Sequence, residues 1–191
     1  MGFIIRLLVS TVVALGLGLG SAWYAITHGT GQQDIVQNGP WRTSLAAGGA
    51  DADMYTRAHV ALVGLLALNK SETIYYTATS DSAGAALDPA CSYRIEGRDP
   101  EARWWSFTAY ARDNYLIPNP QKRYSVGKTD VVRGTDGRFV IRLSRTPEAQ
   151  NWIATSPDGF DVTLRLYNPG PAVLANPSTV ELPALIKETC E

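Results

Sequence analysis

Arginines, aromatic rings and amides recur along the second half of the chain in a set that could grip a ligand. Its members are Trp105, Tyr110, Asn119, Arg123, Tyr124, Asn151, Trp152, Arg165 and Tyr167. Aromatic faces stack on sugars or lipids, and a guanidinium forks onto carboxylate or phosphate. The same residue types also hold a β-sandwich together, with Trp in its core and Asn or Arg tying its loops. Six of them stand as ligand-binding candidates: Arg123, Tyr124, Asn151, Trp152, Arg165 and Tyr167. Arg123 and Arg165 are expected to organise the sandwich, with any site beside them lined by Trp152 and Tyr124. Arg165 sits between Leu164 and Leu166, so alternation puts it on the face opposite to them. If that face is covered, Arg165 must be paired; if open, it is available to a ligand.

Groups for bond-making chemistry are scarce. The two histidines are His28, beside an apolar stretch, and His59, on a helical stretch with no evident partner. Asp81, Asp88, Asp113, Asp136 and Asp158 all stand in turn-like contexts, where the side chain ordinarily bonds the local backbone. There is no Gly-x-Ser-x-Gly elbow and no phosphate-cradling glycine loop. No catalytic residue, metal site or cofactor is therefore assigned.

The elements that would position these residues begin with a membrane segment. Leu7 to Ile26 run without a charged residue, behind Arg6 and ending near Trp23 and Tyr24. At about 1.5 Å per residue such a helix spans roughly 30 Å, a bilayer core. Arg6 keeps the N-terminus cytoplasmic, and the ring pair favours the far interface. Residues 1–28 read as a transmembrane anchor, with a cleavable signal ending near Gly20-Ser21-Ala22 as the alternative. Gly16 and Gly20 form a GxxxG pair of the kind that lets helices approach, though small residues are common in such helices. The remainder of the chain is expected outside the cytoplasm: on the periplasmic side of an inner membrane if anchored, secreted or periplasmic if cleaved. In that setting Cys91 and Cys190, the only two cysteines, read as a disulfide, with two free thiols as the alternative.

Residues 29–50 read as an irregular linker, with Trp41 packing on the domain edge. Asp51–Asn69 reads as one soluble helix, capped by Asp51 or Asp53, with Ala58, Ala61, Leu62, Leu65, Leu66 and Leu68 on its apolar face. Strands follow: Thr73–Thr79, Ser92–Glu96, Arg103–Tyr110, Val131-Val132 with Phe139–Ser144 across a Thr135-Asp136-Gly137 turn, and Asp161–Tyr167. In Arg103–Tyr110 the residues Trp105, Phe107 and Ala109 share one face, and Trp104, Ser106, Thr108 and Tyr110 the other. The Pro-rich tail, 168–191, reads as extended with at most an edge strand. The whole is a mainly β chain: an antiparallel jelly-roll-like β-sandwich domain over residues 51–191, carrying one N-terminal transmembrane helix and one soluble helix.

The 191 residues are 45% hydrophobic and 18% charged, with a net charge of −1. That is enough apolar material for a core, and it leaves no basic footprint for nucleic acid. Between Cys91 and Arg145 eleven Lys or Arg face six acids, a local excess that could attract anionic lipid or polysaccharide.

Three blocks resemble the domain-of-unknown-function family 1214, over residues 73–169. The first runs from Tyr75-Tyr76 through Asp81, Gly84, Leu87 and Tyr93-Arg94-Ile95. The second is Trp105-Ser106-Phe107-Thr108-Ala109-Tyr110, then Asn119 and Arg123-Tyr124-Ser125. The third is Asp136-Gly137, Asn151-Trp152 and Leu164-Arg165-Leu166-Tyr167-Asn168-Pro169. Asn151-Trp152-Ile153 departs slightly from the family's usual Asn-Trp-Leu. That family often follows a second uncharacterised domain, number 1254, in larger bacterial envelope proteins. Here a membrane segment stands in that place. The resemblance implies a jelly-roll-like sandwich and no established activity.

Three functions remain open on this reading. The first is a non-catalytic, membrane-anchored envelope module that binds a glycan, lipid or protein partner. The second is an envelope hydrolase acting on glycan or lipid material. The third is a structural subunit whose partner chain supplies the missing upstream domain.

Overall fold

The computed structural model of the chain describes residues 2–28, 35–62 and 67–190. Helix α1, Phe3–His28, is an apolar rod with none of its residues buried. Its length and composition, with a mean hydropathy of 2.1, fit a membrane-crossing segment or a signal sequence.

The 29–50 stretch is not all linker. A hairpin forms there, β1 (Ile35–Asn38) and β2 (Trp41–Ser44), closed by Gly39-Pro40 with Gly39 at φ +57°. Its polar sequence hides the strands from periodicity. Trp41 anchors it as expected of a packed residue: it is buried, and its indole N–H donates to the Pro183 carbonyl at 2.7 Å. Residues 29–34 of that stretch lie outside the described residues.

Helix α2 covers Met54–Leu62, shorter than the expected Asp51–Asn69. Asp53 is the cap: its carboxylate accepts from the backbone N–H of Tyr55 and Thr56 at 2.8 and 3.1 Å. Those bonds hold the carboxyl below its ordinary range, the Thr56 hydroxyl contributing most. Asn69 is not helical. Its side chain accepts from the Ser71 N–H at 3.0 Å in a turn that leads into β3. Of the expected apolar face, Ala61, Leu62 and Leu68 are exposed and Ala58 half-buried, while Leu65 and Leu66 lie outside the described residues.

The remaining elements are β3 (Thr73–Ala78), β4 (Cys91–Gly97), β5 (Ala102–Ala111), β6 (Ser125–Gly127), β7 (Phe139–Ser144), β8 (Trp152–Ala154), β9 (Phe160–Pro169), α3 (Pro171–Ala175) and β10 (Ala184–Cys190). They make two sheets, one in the order β1-β2-β3-β9-β5-β6 and one in the order β10-β4-β7-β8. Alternation along β4 and β7 sends Tyr93, Ile95, Phe139, Ile141 and Leu143 inward. Trp105 of β5 meets Phe139 of β7 at 4.9 Å between ring centroids, and Tyr93 of β4 meets Phe160 of β9 at 6.0 Å. The sheets therefore face each other across one shared core.

Two expectations need correction. The four-stranded sheet is mixed, because β8 runs parallel to β7. Val131-Val132 also forms no strand with Phe139–Ser144. The turn exists, with Gly137 at φ +78° and one bridge from Arg133 to Phe139. Both edges of β7 are taken, by β4 and β8, so no place remains for a hairpin partner.

The tail closes the domain. β10 pairs with β4, and a Cys91–Cys190 disulfide links the two strands across a sequence separation of 99.

Candidate functional site

The six sequence candidates separate in space. Trp152 is fully buried and donates its indole N–H to Ser144 Oγ at 3.0 Å. It fills the core and cannot line a ligand site, contrary to the expectation. All three residues of β8 are buried, so no alternation marks which way Trp152 points. Asn151, at φ +45°, ties a loop: its amide donates to the Val132 and Val140 carbonyls at 2.7 and 3.0 Å and accepts from the Val132 N–H at 2.8 Å. Arg123 and Tyr124 close the loop begun by Asn119, whose side chain bonds both backbone groups of Arg123. Arg123 and Tyr124 lie together beside Asn119 and Ile153, while Arg165 and Tyr167 share a second surface.

That surface is the outer face of the six-stranded sheet. Strand β9 turns Val162, Leu164 and Leu166 to the core, leaving Asp161, Thr163, Arg165 and Tyr167 outward. Antiparallel register aligns them with neighbours in rows. Thr73, Tyr167 and Trp104 form one row; Tyr75, Arg165 and Ser106 the next; Thr77, Thr163 and Thr108 the third. Asp161 and Tyr110 end the series. Tyr75 and Trp104 thus join the face although neither was a ligand candidate. Alternation had already put Trp104 and Tyr110 on the outward side of β5. The pairing of β3 with β9, which brings in Tyr75, joins residues some ninety positions apart and leaves no local sequence mark.

The chemistry of the face is aromatic around Arg165, with Arg42 exposed in the Thr77 row and Asp161 at the end of the series. Arg165 lies between two rings, 5.8 Å from the Tyr75 centroid and 5.3 Å from that of Tyr110. It donates to the Tyr110 hydroxyl at 2.6 Å. Trp104 and Tyr167 pack at 5.2 Å with planes tilted by 55°. The Trp104 ring occupies the space a Cβ on Gly127 would need, so that glycine makes room for it. Thr77 and Thr163 join hydroxyls at 3.2 Å. Tyr75, Trp104, Tyr110, Asp161, Arg165 and Tyr167 are all half-buried. Burial pushes the Asp161 carboxyl up to about 6, with the Arg165 charge pulling the other way.

The outer face of the four-stranded sheet is built differently. Arg94 pairs with Glu96 and Glu188 at 3.1 and 3.3 Å, Arg138 with Glu96 at 3.1 Å, and Arg142 with Glu188 and Glu148 at 2.7 and 3.4 Å. Hydrogen bonds from Arg94 and Arg138 hold the Glu96 carboxyl below its ordinary range. Glu148 and Glu188 lie beyond Arg145 in sequence yet fold back here and offset two charges of the local positive excess. Among the described residues no cluster of His, Cys, Asp and Glu could hold a metal ion.

Known proteins place this architecture. A crystal structure of the VPA0106 protein from Vibrio parahaemolyticus is similar in fold, with a TM-score of 0.60, 23% identity, and coverage of 73% of this chain and 36% of that one. An uncharacterised protein from Burkholderia cenocepacia aligns with a TM-score of 0.42 and 22% identity over 61% of this chain and 29% of that one. The chain thus spans about a third of the length of these solved structures. No curated protein matches it. The family described as protein of unknown function DUF1214 matches residues 72–171, more than half of the chain. Together with the sheets just described, that match makes this chain a member of the DUF1214 family.

Proposed function

We propose that the chain is a non-catalytic binding module of the cell envelope, tethered by α1 with its N-terminus in the cytoplasm and its sheets in the periplasm. Its ligand is an extended, largely uncharged glycan lying across the outer face of the six-stranded sheet. The observation that carries this reading is the row-by-row array of Tyr75, Trp104, Tyr110 and Tyr167 around Arg165 and a line of threonines. Rings stack on the apolar faces of sugars, while the remaining Arg165 donors meet sugar hydroxyls; Thr73, Thr108 and Thr163 are buried and form the floor beneath the rings. Sheet backbone holds the array rigid, which lowers the ordering cost of binding. The jelly-roll wrapping of the strands and the periplasmic address belong to this same proposal. The Cys91–Cys190 disulfide supports an oxidising compartment.

Hydrolysis of a glycan ordinarily needs two carboxylates flanking the bond. Asp161 is the one carboxyl described on this face with a raised pKa, and the glutamates of the other sheet are held by arginines. The test is a titration of the chain with envelope oligosaccharides, followed by calorimetry, for the wild type and Trp104→Ala. The expected result is binding that weakens at least tenfold in the variant while the disulfide-linked fold still melts cooperatively. Equal binding by both proteins, or no binding to any glycan, contradicts the proposal.

A further inference from the structure

Helix α2 turns its apolar side away from the domain. At 100° per residue, Met54, Tyr55, Ala58, Ala61 and Leu62 fall on one arc about 120° wide. Met54 is 75% exposed, Leu62 51% and Tyr55 38%, whereas the one buried residue of the helix is the polar Thr56. Arg57 and His59 border the arc on either side. This inverts the usual arrangement of a helix on a soluble domain, where the apolar arc faces the core.

The place of α2 says what covers the arc. His59 Nδ1 lies 3.3 Å from the Ile26 carbonyl, in the last turn of α1. The same end of α1 carries Trp23 and Tyr24, both exposed, the ring types that settle at a membrane interface. The exposed apolar arc is therefore continuous with the end of the apolar rod. Leu68 is also exposed, at 45%.

We infer that α2 is an interfacial helix, lying in the headgroup layer of the bilayer that α1 crosses, with Met54, Tyr55 and Leu62 against the acyl chains. The inference rests on α1 being a retained anchor. A single apolar rod lets a domain swivel and tilt; a second helix lying flat fixes its orientation. The Leu68 N–H reaches the Tyr75 hydroxyl at 3.3 Å, so Leu68 borders the aromatic face. Amphipathic helices with basic borders bind such surfaces through apolar burial and attraction to anionic lipid.

The test uses the full chain in nanodiscs made from lipids brominated along the acyl chains. Because Cys91 and Cys190 are joined, a single added cysteine takes an environment-sensitive fluorophore. Three positions are labelled: Leu15→Cys in α1, Leu62→Cys in α2, and Thr129→Cys beyond β6, at the sheet edge opposite β1. The inference expects strong quenching at 15 and 62, at least threefold that at 129. Quenching at 15 alone overturns it and leaves the anchor standing. Quenching at none of the three overturns the anchor as well. Self-quenching between labels at 62 without lipid quenching assigns the arc to a second copy of the chain and also overturns the inference.

Discussion

Arg165 on the six-stranded sheet has tyrosines for neighbours, whereas Arg94, Arg138 and Arg142 on the four-stranded sheet have carboxylates. The two outer faces come from the same alternation of inward and outward side chains, yet they carry different chemistry. On the four-stranded sheet each of these guanidiniums meets an acid within 3.4 Å, so cationic donors are already engaged inside the molecule. On the six-stranded sheet Arg165 lies between two rings and donates to a hydroxyl, and among the described residues it makes no ion pair, although its charge acts on Asp161. Charge pairs engage the donors of the four-stranded face within the molecule, although a cavity of about 350 Å³ lies beside Arg142, Glu148 and Glu188; the other face presents aromatic rings. Of the arginines between residues 91 and 145, Arg94, Arg138 and Arg142 belong to the ion-paired face.

Substitutions can break or sharpen this contrast. The largest effect is expected at Trp152, which belongs to neither face. Trp152→Ala should lower stability by about 3–5 kcal/mol, since it empties a fully enclosed ring site. Chemical denaturation measures it. A loss below 1 kcal/mol would mean that the ring is not a core residue and would return it to the list of ligand contacts.

Removing the disulfide comes next and acts on the four-stranded sheet. Cys190→Ser should cost about 2–5 kcal/mol, because the link closes a long loop of the unfolded chain. Limited proteolysis should then cut within 184–190 first, while the strands of the aromatic face stay protected. Equal protection of β10 in both proteins would show that strand pairing alone holds the tail.

The third test uses pH. Burial raises Asp161 to about 6, above the ordinary 3.8, so the folded chain keeps this proton where the unfolded chain has released it. Its contribution to stability is complete below about pH 4 and is lost as pH rises through 6. Glu96 runs the opposite way: its lowered value favours the fold at neutral pH and loses that contribution as pH falls. Asp161→Asn should therefore gain stability relative to wild type between pH 4 and 7, by up to about 2–3 kcal/mol. Paired melts across that range check it. A difference that does not change with pH would contradict the buried setting of Asp161.

The smallest effect belongs to the ion-paired face. Arg142→Gln breaks two half-exposed ion pairs and should cost at most about 1 kcal/mol, with glycan binding unchanged. Calorimetry beside a melt reads both.

How far the sequence carried this account depends on whether a signal was local. Strands β4, β5, β7 and β9 follow from alternation, and the apolar run of α1 from length and charge. The hairpin of β1 and β2 was missed, because Gln37, Asn38, Gly39 and Pro40 look like a linker and the strands depend on packing by Trp41. The parallel pairing of β8 with β7 joins residues only ten apart but leaves no period in a three-residue strand, whereas the array around Arg165 rests on contacts distant in sequence. Its outward members were readable strand by strand, but the register that joins Tyr75, Trp104 and Tyr110 to it is a property of the sheet. Trp152 misled because a three-residue strand buried throughout has no period to read.

The central claim is that the aromatic face, and not the ion-paired one, meets the ligand. Amide chemical-shift mapping of the chain during titration with a neutral envelope oligosaccharide tests it most directly. The account predicts that the shifted amides cluster at Tyr75, Trp104, Tyr110, Arg165 and Tyr167. Shifts confined to Arg94, Arg142 and Glu188, or none at saturating sugar, would contradict it.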